Sequence, residues 1–256
     1  AFREENAGWL DDYALYMAIK EARGGVSWQK WPEPERERLD LDQLNAVYGS
    51  AAENFKRDQF WFWSQWRALK DYANEKGVLI IGDVPLGVAD DSVDVWAHRE
   101  IFQLNSEGYP KVTAGVPPDY FTPEGQNWGN PVYDWDVLER QGFDWWTDRL
   151  SQALKAYDFV RLDHFRGFSE YFSLPIGKTG KWGGWRKGPG LALFQAVQEK
   201  LGPLPILAED LGLLDAGVYG LLVRTGFPGM DVYQFEKEKI QTLTPGEAAG
   251  RTLYGS

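Results

Sequence analysis

No cysteine occurs anywhere in the 256 residues. Disulfide frameworks and thiolate nucleophiles are therefore excluded, and the expected setting is a reducing one, the cytoplasm. Histidine occurs only twice, and no Cys/His spacing of a metal site is present. No apolar run approaches the roughly 18 residues that span a bilayer, so no membrane partner is expected. Basic charge is in deficit: 27 Lys and Arg stand against 38 Asp and Glu, for a formal charge of −11. A surface that tracks phosphates is disfavoured, and nucleic acid is not an expected partner. Neither a phosphate loop nor a Gly-x-Ser-x-Gly elbow is found.

What the chain has in excess is aromatic side chains, 13 of them tryptophan. Rings supply core volume and also flat platforms on which sugars stack, so a large core and a carbohydrate cleft both fit the composition. With hydrophobic residues at 43%, the chain is globular. Its length suits one large domain, or one domain carrying an insertion.

Along the chain, "WLDDYALYMAIKEA" (9–22) has helical periodicity and stops at Gly24 and Gly25. A second helix is expected to open at Ser50, with Glu53 completing a capping box, and to end before Gly77. Its Phe55, Phe62, Trp66 and Leu69 are spaced for a buried face. "VLIIGDVP" (78–85) has the form of a strand covered on both faces. Residues 86–141 lose regular periodicity and are rich in Gly, Pro, Asp, Asn and aromatics. A structureless loop of that length is improbable in a compact domain, so a folded excursion of short strands and turns over a site is expected. Helix and strand then alternate: a helix at 143–157, strand "FVRLD", a helix at 189–201, strand "PILAED", a helix at 215–224, a strand at 231–235 and a last one beginning at "TLY". Buried strands alternating with helices indicate an α/β fold with a parallel sheet, most economically a (β/α)8 TIM-type barrel. Only five strands can be counted, so the barrel is expected to be incomplete in this chain, residues 1–256 forming its middle.

In such barrels the C-terminal strand ends carry the chemistry. Three expected strands end in acid: Asp83, Asp163, and the pair Glu209 and Asp210. Side chains two apart on a strand share a face, so Arg161 points the same way as Asp163, with His164 at the lip. An arginine so placed holds a carboxylate ionised and oriented, fit to be a nucleophile. Glu209 ends the apolar run "PILA", where desolvation favours the protonated acid. Two carboxyls with separated proton affinities are the apparatus of glycoside cleavage through a covalent intermediate. An Arg–Asp pair at a strand end serves equally well as a structural ion pair, and Asp83 before Pro85 can simply begin a turn. His98, in a polar segment, is expected at the surface.

The segments "GDVP" (82–85), "AGVPPDYFTPEGQNWGNPVYDW" (114–135), "VRLDHFRGF" (160–168), "LAEDLG" (207–212) and "GFPGM" (226–230), in this order, resemble those of the 4-alpha-glucanotransferases called amylomaltases or disproportionating enzymes. The likeness extends over nearly the whole chain. It implies a (β/α)8 barrel that moves an α-1,4-glucan segment from one glucan to another by double displacement, with no metal or organic cofactor. It implies Asp163 as nucleophile and Glu209 as general acid/base. Arg161 and His164 would bind at the cleaved-sugar subsite with Asp83 near it, and Tyr120 and Trp128 would belong to an aromatic loop that holds the glucan. The family pattern continues past the strand matching "TLY" with a Thr-His-Asp-Asn motif whose aspartate is a third essential carboxylate. This chain finishes "RTLYGS", so it is expected to be a fragment of a member about twice as long, inactive alone. An α-glucan hydrolase and a non-catalytic glucan-binding module are the alternatives.

Overall fold

The computed structural model describes residues 1–120, 122–212, 214–234 and 251–254. It opens with helix α1 (Phe2–Ala22), a short α2 (Glu33–Arg36) and the long α3 (Leu41–Glu75). Strand β1 (Ile81–Val84) leads into α4 (Val93–Ala97), β2 (Val112–Val116), β3 (Gln126–Pro131) and α5 (Trp135–Arg140). Then come α6 (Asp144–Ala156), β4 (Phe159–Leu162), α7 (Arg166–Ser169), β5 (Glu170–Pro175) and β6 (Gly184–Lys187). The chain continues through α8 (Leu191–Leu201), β7 (Ile206–Ala208), α9 (Ala216–Thr225), β8 (Gly229–Val232) and β9 (Arg251–Tyr254). No helix among the described residues is long and apolar enough to cross a membrane.

The strands fall into two systems. β1, β4 and β7 form a parallel sheet in the order β1-β4-β7, and β8 pairs in parallel with β9. The amide of Ala208 donates to Pro228 O at 2.9 Å, joining β7 to the approach of β8. The second system is an antiparallel sheet in the order β3-β2-β5-β6. β2 and β3 come from the stretch expected to fold into short strands. β5 and β6, from residues 170–187, form a hairpin that the sequence reading passed over.

Four expectations about elements need correction. α3 begins nine residues before Ser50: Asp40 is the N-cap, its side chain accepting from the amide of Gln43 at 2.9 Å, and Ser50 lies inside the helix. The aromatic face of α3 is only partly covered, since Phe62 and Leu69 are each more than half exposed. At about 1.5 Å per residue α3 is roughly 52 Å long, far longer than what packs on it. Its first half meets α1 through Ala52 against Ala14 and Ala18, and its second half is pinned by Trp66 Nε1 donating to Ala156 O at 2.8 Å. β1 is not covered on both faces: Gly82 and Val84 are buried while Ile81 and Asp83 on the other face are exposed, and among the described residues it pairs with β4 alone. The strand expected at 231–235 starts two residues earlier, at Gly229, and ends at Val232; Phe235 lies outside the described residues.

The core accounts for many of the rings. Trp96, Trp146, Phe165, Phe168 and Phe194 are fully buried in one hydrophobic cluster, each ring contributing about 2–3 kcal/mol by leaving water. Gly82 of β1 is required by the same packing: a Cβ there would lie 1.9 Å from the ring of Tyr157.

Candidate functional site

Residues in register on adjacent parallel strands face the same side. Asp83 of β1 is the register partner of Arg161 on β4, and Leu162 is that of Ala208 on β7. One step further, Asp163 and Glu209 leave the ends of these neighbouring strands side by side, at the interstrand spacing of about 4.8 Å. The ladder continues past the strand ends. The amide of Glu209 donates to Leu162 O, that of Phe165 to Glu209 O, and that of Asp163 to Val84 O, each at 3.0 Å. Asp83, Arg161, Asp163 and Glu209 thus come together at one face.

Arg161 ties this face together. Its Nη1 donates to Asp83 Oδ1 at 2.7 Å and its Nη2 to Asp163 Oδ1 at 2.8 Å. Burial works against the guanidinium charge, but the bond to Asp83 and the fields of Asp163, Asp83 and Glu209 raise its pKa above the ordinary value. Asp163 remains 42% exposed at its side chain, so a ligand can reach it.

Glu209 is held differently. Its Oε2 accepts from the amide of His164 at 2.8 Å and its Oε1 from that of Leu211 at 3.1 Å. Burial pushes its carboxyl above the usual carboxylate range; the charge of Asp163 adds to this, and the two amides with Arg161 offset part of it. Of the acidic pair at this strand end only Glu209 belongs to the site. The side chain of Asp210 is 1% exposed, accepts from the amide of Met230 at 2.8 Å and is paired with Arg251 at 2.5 Å, which also bonds Asp231. That is a structural network joining β7, β8 and β9.

His164 sits at φ 49 in the left-handed region, where a non-glycine residue is uncommon. Burial lowers its imidazole to about 4, against the opposing pull of Asp163 and with help from Arg166. Its Nε2 is buried with no hydrogen-bond partner among the described residues. Trp128 of β3 stands edge-on to it, ring centroids 4.9 Å apart at 88°. The structure therefore brings Trp128 to the strand ends. Tyr120 lies instead in the loop between β2 and β3, 94% exposed. His98 is half-buried rather than at the surface. It follows α4 and lines a cavity of about 710 Å³ with Trp145 and Arg149.

Arg166 and Trp185, for which no role is expected from sequence, both lie near the site. The guanidinium of Arg166 lies 3.8 Å from the ring centroid of Trp185 and bonds Asp215. Arg166 stood in view in "DHFRG", but its partner is 19 positions on, across a hairpin. Among the described residues no group of three or more His, Cys, Asp or Glu is arranged to hold a metal ion.

Comparison with known proteins gives a consistent set of relatives. The family model Glyco_hydro_77, described as 4-alpha-glucanotransferase, matches residues 1–253. The 4-alpha-glucanotransferase of Thermus thermophilus is 50% identical over 238 residues, 92% of this chain and 48% of the relative. That of Solanum tuberosum, named chloroplastic/amyloplastic, is 42% identical over 233 residues, 90% of this chain and 40% of the relative. Among solved structures, an amylomaltase from Streptococcus agalactiae in complex with acarbose superposes with a TM-score of 0.86 at 42% identity, covering 91% of this chain and 48% of that one. The chain spans about half the length of the bacterial relatives it matches.

Proposed function

The chain belongs to the 4-alpha-glucanotransferase family, and from that premise we propose that it carries the two reacting carboxyls of an enzyme that transfers α-1,4-glucan segments with retention. The observation that carries this reading is the pair Asp163 and Glu209. One is open to a ligand and bonded to Arg161; the other is buried, with its carboxyl pushed toward the acid form.

In the first step Asp163 attacks the anomeric carbon while Glu209 gives its proton to the glycosidic oxygen. The carbon–oxygen bond to the leaving glucan breaks, and a glycosyl ester forms on Asp163. In the second, Glu209 takes the proton of an acceptor sugar's hydroxyl, whose oxygen displaces Asp163. Arg161, with Asp83 behind it, orients the nucleophile and meets the sugar at the cleaved bond together with His164. Trp128 offers a ring to the glucan, and Tyr120 is placed on the same binding path as its outer platform. No cofactor takes part in this scheme.

The parallel strands and their helices are read as part of a (β/α)8 barrel, with residues 86–141 as an insertion over its active face. Donors and acceptors of matching chemistry are maltodextrin, starch or glycogen chains. A relative solved with acarbose bound supports a ligand of the oligosaccharide kind. The cysteine-free composition suits the cytoplasm.

In the whole protein, a 5-fluoro maltosyl fluoride should add one glycosyl group, found by mass spectrometry on the peptide carrying Asp163. No label, or label on another carboxylate, would remove the basis of the proposal. The exposure of Asp163 favours one second reading, an α-glucan hydrolase, in which water takes the acceptor's place. The ratio of transferred to water-quenched sugar separates the two.

A further inference from the structure

Two aromatic contacts tie the antiparallel sheet to the strand ends. At one, Trp128 of β3 stands against His164. At the other, Arg166 lies over the ring of Trp185 on β6 at 3.8 Å. β3 and β6 are the two outer strands of that sheet, and their anchors are two residues apart, His164 in the turn after β4 and Arg166 at the start of α7. The chain also runs from α7 directly into β5, and the amides of Gly188 and Gly190 donate to Ser169 O and Phe168 O at 2.8 Å each, so the two ring contacts set how the attached sheet lies over the strand ends.

The Arg166 anchor is rigid. Its side chain is 12% exposed, and its Nη2 donates to Asp215 Oδ2 at 3.0 Å. The other oxygen of Asp215 accepts from the amides of Gly217 and Val218, so the carboxylate is fixed at the start of α9. Trp185 is fixed from the sheet's side by edge-on packing on Phe172 of β5, centroids 5.1 Å apart. A guanidinium over a tryptophan face is among the stronger cation–π arrangements and gains from being withdrawn from water, as it is here. Arg suits this place better than Lys, because its planar group stacks on the ring while its edge keeps the carboxylate.

We infer that Arg166 and Trp185 form a latch holding the antiparallel sheet over the strand ends, and that Trp185 is a positioning residue acting through Trp128 and His164 rather than by touching a sugar. The positional claim stands on these contacts alone. Its consequence rests on the proposed function: a held sheet shields the glycosyl ester on Asp163 from water and so favours transfer over hydrolysis.

His164 reports on the latch. The charged groups facing it are Asp163 beside it, Arg166 in the next turn, and the Glu209 carboxylate on its amide, with Arg161 behind Asp163. Trp128 of β3 covers it with a neutral ring. The chain has only two histidines, so His98 serves as an internal control in the same spectrum.

The test is an NMR pH titration of both imidazoles in the full 256-residue chain, as wild type and as Trp185→Ala, Trp185→Phe and Arg166→Lys. With the latch intact the imidazole of His164 is held low, at about 4. Releasing it admits water, and the pKa of His164 should rise by about one unit or more in Trp185→Ala. Arg166→Lys should do the same, because it keeps the charge and loses the stacking. Trp185→Phe should stay near wild type, and His98 should not move in any variant. An unmoved His164 in Trp185→Ala with an unchanged His98 overturns the latch, and so does a wild-type His164 that titrates normally. Should Trp185→Ala not fold, Arg166→Lys decides alone. No glucan enters this measurement, so a failed latch leaves the transferase reading standing, and failed labelling of Asp163 leaves the latch standing.

Discussion

The backbone amide of His164 donates to Oε2 of Glu209 at 2.8 Å, so the residue that follows one carboxylate fixes the position of the other. His164 reaches it from the left-handed region, φ 49, a conformation that costs a non-glycine residue about 1 kcal/mol or more. The strain is held in place by the ladder bonds on either side, from Asp163 to Val84 and from Phe165 to Glu209. The two carboxyls are therefore coupled through the backbone as well as through their charges.

In the whole protein, Asp163→Asn should abolish formation of the glycosyl ester, lowering turnover of any glucan by about four orders of magnitude or more. Glu209→Gln should behave differently. A donor with a good leaving group needs no proton, so the intermediate should still form from a maltosyl fluoride while maltotriose reacts slowly. Comparison of the two donors checks the assignment, and equal slowing of both would count against Glu209 as the acid.

The pH dependence of a natural donor should follow the same carboxyl. Burial raises the pKa of Glu209 above the ordinary carboxylate value, and the first step needs the protonated form. On the alkaline side the rate should thus fall as pH rises through that raised pKa. Steady-state rates with maltotriose across pH 4–9 should show this alkaline limb, and with the fluoride donor the limb should vanish from the first step. A limb shared by both donors would locate the titrating group elsewhere.

Arg161 bridges Asp83 and Asp163 with two separate nitrogens. Lysine has one nitrogen on a flexible stem and cannot hold both carboxylates in that fork geometry. Arg161→Lys should keep the fold, since the side chain is partly exposed, yet lower turnover by about 100-fold through misplacement of the nucleophile. Circular dichroism and turnover measured on one preparation separate these effects. Wild-type turnover in the lysine variant would mean that the bridge is only structural.

The parts of this architecture that could be read from sequence are those set by local periodicity. The apolar runs ending in Asp83, Asp163 and Glu209 mark three parallel strands, and strand alternation places Arg161 on the face of Asp163 before any coordinate is known. Asp40 is hidden as a helix cap because Ser50 and Glu53 copy a capping box inside the helix. The exposure of Phe62 and Leu69 could not be read from their spacing, because periodicity marks an apolar face without supplying its partner. The hairpin of β5 and β6 carried a signal that went unused. Phe172 and Leu174 are buried between half-buried Tyr171 and Ser173, an alternation of period two. Without that hairpin the partner of Arg166 stayed out of view.

Gly82→Ala tests how tightly β1 is seated. A Cβ at this position would lie 1.9 Å from Tyr157 Cδ2 and 2.3 Å from its Cγ. The base of a ring cannot swing aside, and Tyr157 is also packed edge-on against Trp66, centroids 5.8 Å apart. The substitution should cost about 1–3 kcal/mol by overpacking, read as a lowered urea midpoint. Adding Tyr157→Leu should restore part of the loss. An additive double variant would show that the ring is not the obstacle.

Asp158 should make stability depend on acid in a window below the raised pKa of Glu209. The amide of Ile80 donates to its Oδ2 at 2.8 Å, Lys70 to its Oδ1 at 2.6 Å, and Asn74 to its Oδ2 at 2.9 Å. These three donors, the amide first, lower its carboxyl to about 2. The group's pKa is thus depressed on folding, so the unfolded chain binds the proton first. Its stabilisation is complete above the unfolded value near 3.8 and is lost as pH falls toward 2. Asp158→Asn keeps the shape and removes the charge. It should therefore lower stability by about 1–2 kcal/mol at pH 7, and the gap from wild type should close as the pH approaches 2. Urea midpoints of both proteins at pH 7, 4 and 2.5 measure this, and a gap that does not change with pH would assign the effect to lost packing between α3 and β4 rather than to the carboxylate.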